Sequence, residues 1–516
     1  MWHIVLGGYM LQIKNLDITL IKDDRKLLEN FNLALNPGDK VGLIGEEGNG
    51  KSILLKTIVD RGEVETYAQI RGEIHKKGEI IAYLPQSLDE KFLAMTVHDY
   101  MDQVLDPSLI DYNKFYKYLD DFGLDEDLIF GDIKLSDLSG GERVKILLLF
   151  ELLKDPTLFL FDEPTNDLDY ESVKIITDLM KKMEISLIFV SHDPALLREV
   201  ANRLVHLEQV HRRQVPRHTV FNGGYESYIK ERENQIRIQN ARASKEREEF
   251  DKKEERYRRV YNSVKYAINT TKNDAEGKNL KDKMASVKSL EKRLQKEKEK
   301  LTPRPDFEDA IGIFFDDNIE IPRAKVVLDF KMNELRVGGK NLSKNIEIQV
   351  RGPQKICIVG KNGAGKTSLL KKIYKSLKNS DLKIGYMPQD YFEYLEDKET
   401  PISYLVKQDS KEEKIRVSNL LGSLNFSREE MERSLKSLSG GQKAKVFFAK
   451  MNVEGAEVLI LDEPTRNLSP LSQPEIIESL KAYKGAIIAV SHDRDFIDQV
   501  FDQVYKLDYN GLRKIK

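Results

Sequence analysis

The sequence predicts two α/β domains, each built on a mainly parallel sheet, joined by an antiparallel α-helical hairpin. Three observations carry that prediction. Five short motifs occur twice, in the same order. Each copy sets short apolar runs beside glycine turns and helical patterns. The segment between the copies changes to a long, charged, heptad-spaced pattern.

The repeat comes first. LSGGE at 138–142 recurs as LSGGQ at 438–442, FDEPT at 161–165 as LDEPT at 461–465, and VSHD at 190–193 as VSHD at 490–493, all offset by 300 residues. Upstream lie GEEGNGKS at 45–52 and GKNGAGKT at 360–367, offset by 315, then YLPQ at 83–86 and YMPQ at 386–389, offset by 303. Five ordered motifs do not arise twice by chance. The chain is a tandem duplication with a middle segment of its own, and we place the domains at 10–224, 225–322 and 323–516.

Residues 41–44 and 356–359 are apolar runs that feed a glycine turn and then a helical pattern (Ile53, Leu54, Leu55, Ile58; Leu369, Leu370, Ile373). Residues 158–161, 187–190, 458–461 and 487–490 are continuous apolar runs, as expected of strands covered on both faces. Strands of this kind alternating with helices argue for parallel sheets.

Each motif has its chemistry. In GxxxxGK[ST] the glycines Gly45, Gly48 and Gly50, and Gly360, Gly363 and Gly365, let backbone N–H groups close on phosphate oxygens at a helix N-terminus. Lys51 and Lys366 are the expected contacts to the β- and γ-phosphates of ATP. Ser52 and Thr367 are expected Mg²⁺ ligands. Asp162 and Asp462 end apolar strands, where a carboxylate can hold Mg²⁺ or its water. Glu163 and Glu463 follow them and are placed to polarise the attacking water. His192 and His492 stand 30 residues beyond the aspartates and are expected to contact the γ-phosphate. Ser139, Gly140 and Gly141, and Ser439, Gly440 and Gly441, each open a helical pattern, which makes a second anion site per half. One phosphate loop already holds each half's nucleotide, so the second anion site should serve the other half's ATP.

These motifs resemble the ATP-binding-cassette superfamily over nearly all of both halves. The resemblance implies ABC-type P-loop domains in a head-to-tail sandwich: the loop at 45–52 faces residues 439–441, the loop at 360–367 faces 139–141, and two ATP molecules lie between. It also implies that Gln86 and Gln389 sense Mg²⁺ and the attacking water. Three departures stand out. Glu46 and Glu47 occupy the first phosphate loop, where two acids should weaken nucleotide binding unless they point outward. Residues 467–469 read Asn-Leu-Ser against Asn-Asp-Leu-Asp at 166–169. No aromatic residue stands at the usual adenine-stacking position. The two sites should therefore differ in affinity or rate.

Residues 225–300 carry 22 Lys and Arg against 15 Asp and Glu, a local net of +7 in a chain whose formal net charge is -2. Ile229, Ile236, Ala243, Phe250, Tyr257 and Val264 recur every seven residues, with Tyr261 and Ile268 widening the stripe, and predict one helix over 225–268. Met284, Val287, Leu290, Leu294 and Leu301 predict a second, ended by Pro303 and Pro305. The polar stretch 269–278, with Gly277, is the expected turn. Lys265, Lys272, Lys278, Lys281 and Lys283 crowd that tip, which lacks an aromatic base-stacking pair.

Two complete cassettes, a long charged helical linker and Gly224-Tyr225-Glu226-Ser227-Tyr228 at its start resemble the ABC-F subfamily. That resemblance implies a cytoplasmic monomeric ATPase that binds the ribosomal exit (E) site. Its linker approaches rRNA, the P-site tRNA and the peptidyl-transferase centre, in translation or in antibiotic protection. The interval from Gln86 to Ser139 is 53 residues and from Gln389 to Ser439 is 50, which leaves no room for an arm-like insertion in the first half. With the last strand expected near 504–507 and no C-terminal extension, the pattern leans towards the compact resistance-type members. The alternatives are a transporter's ATP-binding subunit, to which a basic hairpin adds nothing, and a DNA-maintenance ATPase, whose coiled coil splits one cassette. No apolar run of about 18 residues exists to cross a membrane. The opening MWHIVLGGY makes a poor signal peptide, and the first strand should start after Met10. A single cysteine, Cys357, excludes an internal disulfide and fits a reducing compartment.

Overall fold

The computed structural model describes residues 10–516 except 167, 211–214, 271–273, 303–314, 316–318, 397, 409, 425 and 467. The chain forms two compact units. One joins residues 1–225 with 308–516, and the other is 226–307.

Each half of the first unit is built on a six-stranded sheet. In the first half the order is Ile81–Leu84, Leu158–Asp162, Ser186–Val190, Lys40–Ile44, Arg203–Gln209, Val215–Phe221. All neighbours are parallel except the last pair. The second half repeats the order with Ile384–Met387, Val458–Asp462, Ala486–Val490, Lys355–Val359, Gln503–Asp508 and Gly511–Lys514. Every residue of Leu158–Asp162 and Ser186–Val190 is buried, as the continuous apolar runs require. The chain ends with an antiparallel strand, Gly511–Lys514, beyond the one expected near 504–507.

A smaller antiparallel layer covers each sheet, and here the halves diverge. The first half has three strands, ordered Lys26–Leu35, Leu11–Leu20, Ala68–His75. Among the described residues the second half has two, Val326–Val337 and Lys340–Arg351. The sequence records the loss: the offset between the copies falls from 315 at the phosphate loop to 303 at YLPQ, and those 12 residues are the missing strand and its approach. The two-stranded hairpin turns through Gly338 and Gly339 at φ 56° and 81°, the left-handed pair that a two-residue turn demands.

The first core packs Leu54, Leu55 and Ile58 of the helix Lys51–Val59 between Phe31 and Leu33 of the antiparallel layer and Ile188 and Val190 of the sheet. Leu369, Leu370 and Ile373 of Lys366–Leu377 do the same against Ile346, Ile348 and Ile488. This packing fixes where each helix begins, and so where each phosphate loop sits, at the carboxyl ends of the strands.

The second unit holds two helices, Tyr225–Thr270 and Asp274–Lys298. At 46 residues the first is about 69 Å long. Most of the stretch expected as a turn is helical. Asp274 and Glu276 are an acidic start suited to a helix N-terminus, and Ala275 and Glu276 are good helix formers, which offsets the cost of about 1 kcal/mol at Gly277. Ala243, Phe250, Val287 and Leu294 are buried, as the heptad stripe predicts. Leu290 is 40% exposed and falls off the stripe. Glu246 ties the unit's end by accepting from Arg242 Nε at 2.8 Å and the Thr302 backbone N–H at 2.7 Å. Lys265, Lys278, Lys281 and Lys283 are exposed, while Lys272, Pro303 and Pro305 lie outside the described residues. One aromatic ring is also exposed near that end, Tyr266 at 72%.

Candidate active site

Each half gathers its motif residues at the carboxyl ends of three adjacent strands. The phosphate loop follows Lys40–Ile44 or Lys355–Val359, His192 or His492 follows the strand beside it, and Asp162 or Asp462 closes the strand beyond. Gly45 shows why the loop needs glycine. Its φ is 144°, and a Cβ there would stand 2.1 Å from the Leu207 carbonyl oxygen. Lys51 Nζ lies inside its loop and donates to the carbonyls of Gly45 at 2.8 Å and Glu46 at 2.9 Å. Lys366 Nζ does the same to Gly360 at 2.8 Å and Lys361 at 3.0 Å. Both ammoniums are buried at the point where a phosphate chain would lie.

The oxygen donors suit a hard cation. Ser52 Oγ donates to Asp162 Oδ1 at 2.9 Å, and Tyr83 O–H reaches Asp162 Oδ2 at 3.4 Å. Thr367 Oγ1 stands 3.3 Å from Asp462 Oδ1 and 3.4 Å from Gln389 Oε1. Asp462 Oδ2 is buried with no hydrogen-bond partner. Burial pushes the Asp162 carboxyl up, and Asp462 up to about 6, outweighing the opposing pull of Lys51 on the first and of Lys366, Lys371 and Arg466 on the second. A hydroxyl, a carboxylate and an amide carbonyl converging on an unpaired oxygen fit Mg²⁺.

Glu163 and Glu463 sit in the left-handed backbone region, at φ 53° and 51°. For a residue with a Cβ that conformation costs about 1 kcal/mol or more, and its recurrence at equivalent positions marks a functional constraint. The carboxylates then part ways. Glu163 Oε2 accepts from Gln86 Nε2 at 3.2 Å, and Oε1 lies 3.3 Å from His192 Nε2. Burial raises its carboxyl, but His192, Lys51 and Arg466 outweigh burial and hold it below the usual range. Glu463 Oε2 accepts the His492 backbone N–H at 3.3 Å, with His492 Nε2 at 3.6 Å from Oε1. Burial and the neighbouring Asp462 push Glu463 up to about 8.

The histidines differ in the same sense. His192 Nδ1 lies 2.9 Å from the Leu468 carbonyl of the second half, a contact that only its N–H form makes. His492 Nδ1 is buried without a partner, and burial lowers that imidazole to about 4.

Two cavities contain these groups. One, of about 490 Å³, brings Gly363, Gly365, Lys366, Thr367, Gln389, Glu463 and His492 together with Asn166 and His192 of the first half. The other, of about 360 Å³, brings Gly48, Gly50, Lys51, Ser52, Gln86 and Glu163 together with Arg466 of the second. No Phe, Tyr or Trp lines either cavity among the described residues. Arg25 lines the smaller one and donates to the Gly48 carbonyl at 3.2 Å.

Ser139 and Ser439 cap the helices Gly140–Leu152 and Gly440–Glu454 in capping boxes closed by Glu142 and Gln442. Neither Ser139, Gly140 and Gly141 nor Ser439, Gly440 and Gly441 line either of these two cavities. The second signature nevertheless touches the first phosphate loop, because the Gly440 N–H donates to Glu47 Oε2 at 2.6 Å. Ser472 Oγ donates to Glu46 Oε1 at 3.0 Å. Gln473 Nε2 donates to the His192 carbonyl at 2.7 Å. Arg198 pairs with Asp495 at 2.9 Å and Arg494 with Glu199 at 3.2 Å, two ion pairs that join the halves.

Sequence reading missed Arg466, Tyr83 and the carbonyl of Leu468. Arg466 had a legible signal, since it replaces Asn166 at the equivalent position of the repeat. Tyr83 opens YLPQ and was visible as a repeated residue without a role. A backbone carbonyl from the other half carries no sequence signal.

Paired phosphate loops, each with a strand-ending aspartate, a strained glutamate and a histidine, define a two-site nucleotide triphosphatase. Residues 28–166 and 343–466 match the profile of the ABC transporter family. The chain belongs to that ATP-binding-cassette family, as an ATPase of its ABC-F branch. Among curated relatives, ribosome protection protein VmlR of Bacillus subtilis (strain 168) is 29% identical over 95% of this chain and 86% of its own length. ABC transporter F family member 5 of Arabidopsis thaliana is 27% identical over 93% of this chain and 73% of its own. Among solved structures, archaeal ribosome recycling factor aABCE1, in complex with ribosomal stalk protein aP1, superposes with a TM-score of 0.60. It is 19% identical and covers 96% of this chain and 89% of that one, a likeness of fold.

Proposed function

We propose that this ATPase works on the ribosome in the cytoplasm, binding at the E site and directing its helical hairpin towards the P-site tRNA and peptidyl-transferase centre. The observation that carries the reading is the hairpin: a net +7 over residues 225–300, between two complete cassettes. Exposed Lys265, Lys278, Lys281 and Lys283 supply phosphate contacts, and Tyr266 supplies a ring for a splayed base. The relative named for ribosome protection aligns with 95% of this chain and 86% of its own length, which supports a protective or translational role. Among the described residues no helix is long and apolar enough to cross a membrane.

In this reading the chain acts as a monomer and binds two ATP. Lys51 and Lys366 hold the β- and γ-phosphates. Ser52, Asp162 and Gln86, and Thr367, Asp462 and Gln389, hold Mg²⁺, which neutralises phosphate charge when bound. Glu163 and Glu463 accept a proton from the water that attacks the γ-phosphorus, while His192 and His492 steady the γ-phosphate. Ser139, Gly140 and Gly141, and Ser439, Gly440 and Gly441, complete the opposite sites.

The test is co-sedimentation of the Glu163→Gln/Glu463→Gln double variant with ribosomes in ATP. Retention with ATP and loss with ADP is the expected result. No retention in either nucleotide, or co-purification with a polytopic membrane protein instead, overturns the reading.

A further inference from the structure

The first phosphate loop carries an anion of its own. Glu47 and Glu46 occupy the positions that Asn362 and Lys361 hold in the second loop. Glu47 Oε2 accepts the Gly440 N–H at 2.6 Å, which places a carboxylate on the N-terminus of the 15-residue helix Gly440–Glu454. That terminus favours an anion through its orphan N–H groups and its dipole. Lys443, one turn into the same helix, feels the Glu47 charge. Glu46, 1% exposed, anchors the contact by accepting from Ser472 at 3.0 Å.

The second loop shows the opposite charge. Lys361 acts on the Glu142 carboxylate of the first signature helix, and Asn362 Oδ1 lies 3.4 Å from Lys366 Nζ. The acid therefore belongs to one site alone. Glu47 also lines the smaller cavity with Lys51, Ser52 and Arg466, so a triphosphate there lies beside it. A γ-phosphate that reaches residues 439–441 from this loop must take the place of the Glu47 carboxylate. Two anions at one helix terminus repel each other, and one has to leave.

We propose that Glu47 sets the ATP affinity of the first site. Its carboxylate holds the opposite signature helix in place of the γ-phosphate, and ATP binds there only by displacing it. The first site is then the weaker of the two, and its two faces stay joined without nucleotide. This inference stands independently of the ribosomal reading.

The experiment isolates one site at a time. In a Lys366→Ala background, which disables the second phosphate loop, a fluorescent ATP analogue is titrated against Glu47, E47Q and E47N proteins. Both substitutions should tighten binding about tenfold, and in a Lys51→Ala background neither should change it. Glu47 is exposed on its loop, and a melting curve checks that each variant folds. In nucleotide-free protein, hydrogen exchange over residues 440–441 should speed up in Glu47→Ala. Unchanged or weaker first-site affinity in both E47Q and E47N, or unchanged exchange in Glu47→Ala, overturns the proposal.

Discussion

The two ATP sites use the same motifs and arrange them differently. At the first, Glu163 is held by Gln86 and His192, and His192 is held in turn by the Leu468 carbonyl of the opposite half. At the second, Gln389 turns to Thr367, and His492 Nδ1 has no partner. The first site is braced across the interface and its carboxylate is kept ionised. The second is looser, larger and more apolar around its base. Motif identity fixes which groups are present, and the contacts from the other half decide how tightly each is held.

The largest expected effect tests whether both sites work. Glu163→Gln with Glu463→Gln should lower steady-state phosphate release by at least about a hundredfold, the usual worth of a positioned base. The single variants should be unequal, and equal rates in both would break the comparison. Next in size, His192→Ala should cost more than His492→Ala, by about tenfold in kcat, because it also removes the Leu468 contact. Matched losses would mean that the trans carbonyl does not matter.

A third measurement reads one half alone. Cys357 is fully buried in the central strand of the second half, where the first half has Gly42, and burial pushes its thiol up. Alkylation by iodoacetamide in native buffer should be at least about a thousandfold slower than in denaturant, since it requires local or global opening. Rapid labelling would show that the second half opens far more readily than its packing implies. The smallest effect concerns the two Arg–carboxylate pairs between the halves. Arg198→Ala and Arg494→Ala should each change unfolding free energy by about 0.2–1 kcal/mol in denaturant melts. A much larger cost from one of them would extend the asymmetry to the interface rim.

Much of this was legible in the sequence because local spacing encodes it. The phosphate loops, Asp162 and Asp462, Glu163 and Glu463 and the parallel strands all follow from runs of a few residues. The difference in offset even records the missing strand. The linker turn was read too long: polarity at 269–278 looked like a loop throughout, while 269–270 and 274–278 are helical. The roles of Glu46 and Glu47 were only half legible. Two acids beside phosphates signalled a weaker site, but their partners lie 426 and 393 residues away. No local pattern announces a contact at that distance.

Synthesis gives that separation a meaning in time. At about 5–20 residues per second, roughly 20–85 s pass between the emergence of Glu46 and that of Ser472. In the later part of that interval, once Phe221 has emerged, the first half has all its sheet strands and an unfinished face. Two carboxylates on that face keep it hydrated while it waits, where an apolar patch would recruit other nascent chains.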